Sequence, residues 1–300
     1  MYNGVVNVYK EQGFTSFDVV AKMRGIFHQK KIGHTGTLDP MAEGVLLVCL
    51  GKAAKLSELM LTKEKEYDAV LLLGIRTDTD DVTGNVLEES EVSVSEAEVR
   101  DCIKSFLGKQ LQVPPIYSAI KKDGKKLYEY ARAGEEIIPD PREVEVYELE
   151  VTDVSLPAVS FHVKCSKGTY IRSLCRDIGE KLGCHGTMKG LVRTETCGFT
   201  SDKAVRLSDL QILKEEDRLE TAVMPLDSLL GNVPKAEVKG QGEKLLINGN
   251  KLSEDMLSGY KDMDELINAD YIRMYMKDEM TALYRYDKGA GCFKCFKYLG

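Results

Sequence analysis

Apolar and polar positions along this chain change period several times. Val5–Tyr9 reads as a short strand. Thr15, with Asp18 three residues on, has the spacing of a capping box, and Val19, Val20, Met23, Ile26 and Phe27 then recur at helical intervals. Val45–Leu50 is an unbroken apolar run and predicts a buried strand; Ala53–Met60 predicts a helix. Tyr67–Leu73 is apolar enough for an interior strand. Ser95 and Glu98 open a helix carrying Val99, Cys102, Ile103 and Phe106, with Gly108 as its stop. Lys126–Ala133 predicts a short helix ended by Gly134. Val144–Val154 and Ser160–Cys165 read as strands. Thr169–Leu182 is a helix with Ile171, Leu174, Cys175, Ile178 and Leu182 on one face and Gly183 as its stop. Strands and helices do not alternate cleanly, so the fold class is α+β: a mixed β-sheet with flanking helices.

Two segments stand apart from that pattern. Residues 121–143, rich in charge and aromatics, look like an arm inserted over a binding face. After Leu230 the texture changes, and Gly231-Asn232-Val233-Pro234 reads as a linker. The expected organisation is a main domain over 1–231 and a small β-rich segment over 233–300, with strands at Tyr271–Met276 and Thr281–Tyr286.

Three hundred residues, 43% of them hydrophobic, can bury a substantial core. Eight scattered cysteines in a charged chain that shows no signal peptide point to free thiols and a cytoplasmic protein. No apolar run reaches membrane-spanning length, so no membrane association is expected. The net charge of −7 argues against a nucleic-acid partner taken as a whole. Local fields matter more. Lys121, Lys122, Lys125 and Lys126 cluster beside Tyr128 and Tyr130, and Lys22, Arg24, Lys30 and Lys31 run towards a glycine-rich stretch, while acids gather in Asp78–Asp101. Charge therefore permits nucleic acid without arguing for it.

The glycine-rich stretch is Gly33-His34-Thr35-Gly36-Thr37-Leu38-Asp39-Pro40-Met41-Ala42-Glu43-Gly44-Val45-Leu46. It has neither a helical nor a strand period, and Val45–Leu50 backs it. Pro40 biases Asp39 towards extended backbone. Gly36 and Gly44 allow a tight turn or a close approach. The bland alternative is a glycine turn with a solvated Asp.

This stretch resembles the signature loop of the TruB family of tRNA pseudouridine synthases. Other blocks resemble that family in order: Lys10-Glu11-Gln12-Gly13-Phe14-Thr15-Ser16; Lys65-Glu66-Tyr67 leading to Leu73-Gly74-Ile75-Arg76-Thr77-Asp78-Thr79-Asp80; Val113-Pro114-Pro115-Ile116-Tyr117-Ser118-Ala119; Lys125–Arg132; Cys165-Ser166-Lys167-Gly168-Thr169-Tyr170-Ile171-Arg172; and Met224-Pro225-Leu226-Asp227. The resemblance covers about residues 1–230.

The resemblance implies isomerisation of uridine to pseudouridine at position 55 in the T loop of tRNA, with Asp39 as the catalytic aspartate. The target base must be flipped out of folded RNA. The chemistry asks for one ionised carboxylate, as nucleophile or proton acceptor, and for no metal or cofactor. By resemblance Arg172 pairs with Asp39, Tyr67 is the stacking platform, Tyr170 and Leu191 line the uracil pocket, and His34 is a substrate contact. Lys10 supports the signature loop or a phosphate. The last segment is expected to be a PUA-like RNA-binding module. The partner is the T stem-loop of tRNA, met by a monomer with no obligate protein partner.

Plain physics bears on some of these residues. If Thr169 is the helix cap, Arg172 lies in the first turn and opposes the helix dipole, so something anionic should compensate it. The alternatives are an exposed Arg172, core tyrosines at 67 and 170, a structural His34 and an ordinary strand-end Lys10. Asp78-Thr79-Asp80-Asp81 followed by Gly84 fails calcium-loop spacing and reads as a polar hairpin turn. Cys292-Phe293-Lys294-Cys295 and Cys184-His185 with Cys197 lack the further ligands of a zinc site. A tRNA-folding chaperone using the same surface without catalysis is the alternative function. A metal-dependent hydrolase built on the acidic turn is a third, with unsuitable ligand spacing.

Overall fold

The computed structural model describes residues 1–60 and 64–300. A nine-stranded mixed sheet organises the larger part of the chain. Its strands are β1 (Gly4–Lys10), β2 (Ile32–His34), β3 (Glu43–Leu50), β4 (Lys65–Leu73), β5 (Gly108–Gln112), β6 (Arg142–Ser155), β7 (Ala158–Cys165), β8 (Gly186–Thr196) and β9 (Phe199–Thr200). The order is β1-β3-β8-β4-β7-β6-β5, with β2 beside β3 and β9 beside β8. Within this sheet, among the described residues, β3 and β8 are the pair that runs parallel, through Val192 opposite Glu43 and Arg193 opposite Gly44. That junction joins a β1–β3 half to a β4–β7 half, with the glycine-rich loop leading into β3 beside it.

The sheet alternates burial. In β4, Tyr67, Ala69, Leu71 and Leu73 are buried while Asp68 is exposed. The strand is interior to the sheet, as its apolar run predicts, with one face buried. The buried face packs on the helices Glu96–Lys104 and Ile171–Leu182 through Val99, Ile103, Leu174, Cys175 and Ile178. Beside β1 and β3 the helix Ser16–Phe27 buries Val19, Val20, Met23, Ile26 and Phe27, as its period predicts. Both anticipated capping boxes form, at Thr15/Asp18 and Ser95/Glu98.

Several boundaries differ from those read in the sequence. Residues 51–56 are 3-10 helix, and only Ser57–Met60 is α-helical. Gly108 opens β5 at φ +94° rather than capping the preceding helix, which ends at Lys104. The helix predicted from Thr169 starts at Ile171, with Tyr170 as its cap; the Thr169 hydroxyl turns back to Ser166 O instead. Strand β8, which carries Leu191, was not predicted.

The arm is a hairpin, Lys121–Lys122 with Lys125–Lys126, followed by the helix Leu127–Ala133. It ends by residue 141, since β6 begins at Arg142. The C-terminal part holds a separate five-stranded sheet, ordered Leu257–Ser258, Lys235–Val238, Ile272–Met276, Glu279–Asp287, Cys292–Tyr298. It does not hang on a loose linker. Met280, Leu283 and Leu299 share a core with Val45, Leu47, Cys49 and Leu56 of the large sheet. Lys55 Nζ donates to Gly300 O at 2.7 Å and to Tyr298 O at 3.2 Å.

Candidate active site

The signature loop runs from β2 into β3 and is held from below by the segment Lys10–Ser16. Lys10 is fully buried at the end of β1. Its ammonium donates to Ala42 O at 2.5 Å, Glu11 O at 3.2 Å and Pro40 O at 3.4 Å. Gly13 N also donates to Pro40 O. Ser16 Oγ accepts from Leu38 N at 2.9 Å and lies 3.2 Å from Leu38 O. Burial lowers the Lys10 ammonium to about 8, against the opposing pull of Asp39. Of the two roles expected for Lys10, its contacts match support of the loop.

The other side of the loop rests on Arg193 in β8. This guanidinium is 1% exposed. Nε donates to Val45 O at 2.7 Å and Nη2 to Gly36 O at 3.2 Å. Gly44 lies against the Arg193 backbone at φ +100°, and a Cβ there would sit 2.3 Å from Arg193 O. The close approach anticipated for Gly44 is thus to the chain's own strand. Sequence reasoning assigned Arg193 no role, because its partners are carbonyls some 150 residues away.

Asp39 is fixed between these supports. Its Oδ2 lies 3.0 Å from Arg172 Nε, an ion pair without the alignment of a hydrogen bond. Arg172 is the second residue of the helix Ile171–Leu182 and its side chain is 5% exposed. Nη1 donates to Thr79 O at 3.0 Å and Nη2 to Tyr117 O at 3.1 Å, while Asp81 Oδ2 stands 3.7 Å from Nη1. Two carboxylates therefore answer the conflict between this cation and the helix dipole. Burial raises the Asp39 carboxyl above its usual value, Arg172 and Lys10 pull it back, and Asp81 adds to the rise.

Asp81 corrects the reading of the acidic turn. The segment does join two strands, Ile75–Thr77 and Val86–Glu89. Its second half is nevertheless buried: Asp80 is 9% and Asp81 5% exposed. Thr77 Oγ1 donates to Asp81 O, and the Asp81 carboxylate takes hydrogen bonds from Thr79 and Thr83. Acids set apart in sequence thus come back to the site, where no charge-density argument would place them.

Of the remaining predicted residues, Tyr67 and Tyr170 feel the charge of Asp39, and Leu191 shares a core with Leu38 and Met41. Tyr67 faces Arg193 across β4 and β8 and packs in the cluster with Leu38, Met41 and Ala42. Burial drives its hydroxyl up to about 12. Leu191, two residues before Arg193, is buried opposite Ala69. Tyr170 is half-buried, its backbone clamped by Gln112, which accepts from Tyr170 N at 2.8 Å and donates to Tyr170 O at 3.1 Å. Burial and the charge of Asp39 both raise its hydroxyl. His34 ends β2, and its Nδ1 accepts from Gly36 N at 3.3 Å. Burial and Arg193 lower its pKa, so the ring is neutral near pH 7 with Nε2 as the donor. The result is a loop carboxylate, Asp39, paired with Arg172, with Tyr67 and Tyr170 within reach of its charge. Among the described residues no group of three or more His, Cys, Asp or Glu side chains is arranged to hold a metal ion.

Comparison with known proteins gives this arrangement relatives. Residues 24–171 match the model of the TruB family pseudouridylate synthase N-terminal domain, and residues 172–231 match that of the tRNA pseudouridylate synthase B C-terminal domain. The chain is 49% identical over 304 residues to tRNA pseudouridine synthase B of Lachnoclostridium phytofermentans, covering 98% of this chain and 99% of that protein. It is 44% identical over 298 residues to the protein of the same name from Clostridium tetani, covering 99% of each. Among solved structures, a Cbf5-Nop10-Gar1 complex contains a chain similar to this one at TM-score 0.75 and 27% identity, over 99% of this chain and 85% of that one. A chain of an archaeal box H/ACA sRNP Nop10-Cbf5 complex is similar at TM-score 0.74 and 25% identity, over 99% and 86%.

Proposed function

The chain belongs to the TruB family of pseudouridylate synthases, and from that premise we propose that it isomerises uridine to pseudouridine at position 55 in the T loop of tRNA. The observation that carries the reading is the Asp39–Arg172 pair. A protein that only bound RNA would gain nothing from a carboxylate facing a polyanion, and the buried guanidinium lies against that carboxylate rather than in solvent. In the reaction the C1′–N1 bond breaks and a C1′–C5 bond forms; C5 loses its proton and N1 gains one. Asp39 acts at the reacting nucleoside as its ionised form, and Arg172 keeps it ionised despite burial.

The uridine is flipped from the RNA to reach the loop. Tyr67 supplies an aromatic face, Tyr170 and Leu191 the walls of the uracil pocket, and neutral His34 a donor to the flipped nucleotide. The C-terminal sheet acts as a PUA-like RNA-binding module. There Arg285 lies 4.3 Å from the Tyr271 ring centre and 4.4 Å from that of Phe296, a stacked cation of the kind that meets nucleic acid. The enzyme works in the cytoplasm as a monomer on the T stem-loop, without metal or cofactor.

The test is incubation with an unmodified tRNA transcript and mapping of pseudouridine. Modification confined to position 55, and undiminished by EDTA, is expected. Modification elsewhere would remove the position, and a requirement for one divalent ion in the chemistry would remove the metal-free reading.

A further inference from the structure

One turn beyond Arg172, on the same face of the helix Ile171–Leu182, stands a second arginine, Arg176. It is 17% exposed, and Nη1 lies 2.9 Å from Asp80 Oδ2. Nη2 donates to Val113 O at 3.0 Å and to Asp177 Oδ1 at 2.7 Å, and Nε donates to Asp177 Oδ1 at 3.0 Å. Asp80 precedes Asp81 in the acidic turn and is 12% exposed at its side chain. Its backbone is pinned at φ +59°, with Met188 N donating to Asp80 O at 3.0 Å. Burial raises its carboxyl, and both Arg176 and Arg172 oppose that rise. Three carboxylates, Asp39, Asp80 and Asp81, therefore lie in the field of Arg172. A buried carboxylate without its own counter-ion turns towards the nearest cation or takes up a proton.

We propose that Arg176 is a positioning residue: by holding Asp80 it leaves Arg172 to Asp39. The inference rests on the reading of Asp39 as the catalytic carboxylate. The role is electrostatic partition rather than bracing, and the two make opposite forecasts. If Asp80 is released it competes for Arg172, and the harm is undone by removing its charge. If Arg176 merely braces the fold, removing both members leaves the fold with no tie at all.

The experiment is single-turnover pseudouridine formation at saturating tRNA, across pH, with tRNA affinity measured alongside. Asp39 is faced by Arg172 from the helix, Asp81 from the acidic turn and Lys10 from β1, all unchanged in the variants. Arg176→Gln is expected to lower the rate about tenfold and to move the acid limb to higher pH, because Asp39 loses part of its counter-ion. Affinity should stay within about twofold, since Arg176 is only 17% exposed and already paired with Asp80. Adding Asp80→Asn should return the rate to within about threefold and restore the limb, a non-additive recovery expected of coupled charges. Asp80→Asn alone should cost less than about twofold, because Arg176 keeps Asp177 and Val113 O.

A double variant as slow as Arg176→Gln, or an acid limb that does not move, would overturn the proposal. Should Arg176→Gln fail to fold, with Asp80 left unpaired, an active double variant is still expected and an inactive one overturns it. Failure of the underlying reading looks different: turnover by Asp39→Asn, or none by the unaltered protein.

Discussion

Around Asp39 three cations are buried and committed: Lys10 to three carbonyls, Arg193 to two, and Arg172 to two carbonyls and two carboxylates. In the arm at 121–141 the lysines stand near the surface beside acids that can let them go. Lys122 reaches Asp140 at 2.8 Å and Lys125 reaches Glu135 at 2.9 Å, with lysine side chains 28% and 37% exposed. The residue types are similar and the energetics are not. Breaking the buried Arg172–Asp81 pair, with side chains 5% and 7% exposed, by losing one partner costs about 3–5 kcal/mol, whereas an exposed pair is worth about 0–1 kcal/mol. The first region fixes a geometry; the second can exchange its partners for phosphate at little cost. Substitutions should separate the two accordingly.

The largest effect belongs to Asp39→Asn. Pseudouridine formation should vanish, with tRNA affinity within a few-fold of the unaltered protein, since the amide keeps the shape and loses the charge. Stability should move the other way. Burial raises the folded pKa of Asp39, so its protonated form favours folding at low pH, and that contribution is lost as the group ionises on the way to neutral pH. Asp39→Asn should therefore melt no lower than the unaltered protein at pH 7. Detectable turnover by cleanly purified Asp39→Asn would remove the catalytic assignment.

Arg172→Ala should follow, with a rate loss on the order of 10²-fold or more, the scale for a preorganised charge partner. It should also lower the melting temperature, because Asp81, 5% exposed, would be left without its arginine. Arg172→Lys should recover part of the rate only: one ammonium cannot reach Asp39, Thr79 O and Tyr117 O together. Unchanged rates in both variants would make Arg172 a bystander.

A smaller effect, read without any substitution, is the pH profile. On the proposed mechanism Asp39 acts in its ionised form. Its pKa is raised by burial from 3.8, so activity should fall, as pH drops, through a midpoint above that value. A midpoint at or below 3.8 would mean that Arg172 and Lys10 outweigh burial.

The two regions also differ in how far the sequence disclosed them. The arm's hairpin and short helix rest on local signals, with Gly134 at φ +68° ending the helix as read. The capped helices at Thr15 and Ser95 were equally legible, because a cap and its helix are neighbours in the chain. Strand β8 was not. Its segment Gly186–Thr196 carries Lys189 and Arg193, and bulges after Met188 and after Arg193 break the two-residue alternation. That missed strand brings Arg193 beneath the loop and Leu191 into the core with Leu38 and Met41. Asp39 and Arg172 were paired through family resemblance, not from their positions. Asp81, Arg193 and the Arg176–Asp80 pair went unassigned because each is defined by a partner about 90 or more residues away. Local periodicity carries no record of such a contact.

The smallest effect is expected in the arm, and it should appear in binding rather than chemistry. The chain carries −7 overall, so its hold on tRNA depends on local cations that displace counter-ions from phosphate. Lys121 is exposed, Lys122 and Lys125 are held by Asp140 and Glu135, and Lys126 lies over the Tyr128 ring at 5.3 Å. Each phosphate met adds roughly 0.9 to the slope of log affinity against log salt on duplex DNA and less on single strands. Changing all four lysines to Ala should weaken binding and flatten that slope by roughly one to four units, and turnover at saturating tRNA should barely change. The neighbouring acids give the opposite test. Glu135→Gln with Asp140→Asn frees Lys125 and Lys122 without adding charge of their own, and should tighten binding most at low salt. Parallel salt slopes for the unaltered and four-lysine variants would show that the arm does not meet the backbone, and would move the search to Lys22, Arg24, Lys30 and Lys31, all exposed beside the signature loop's approach.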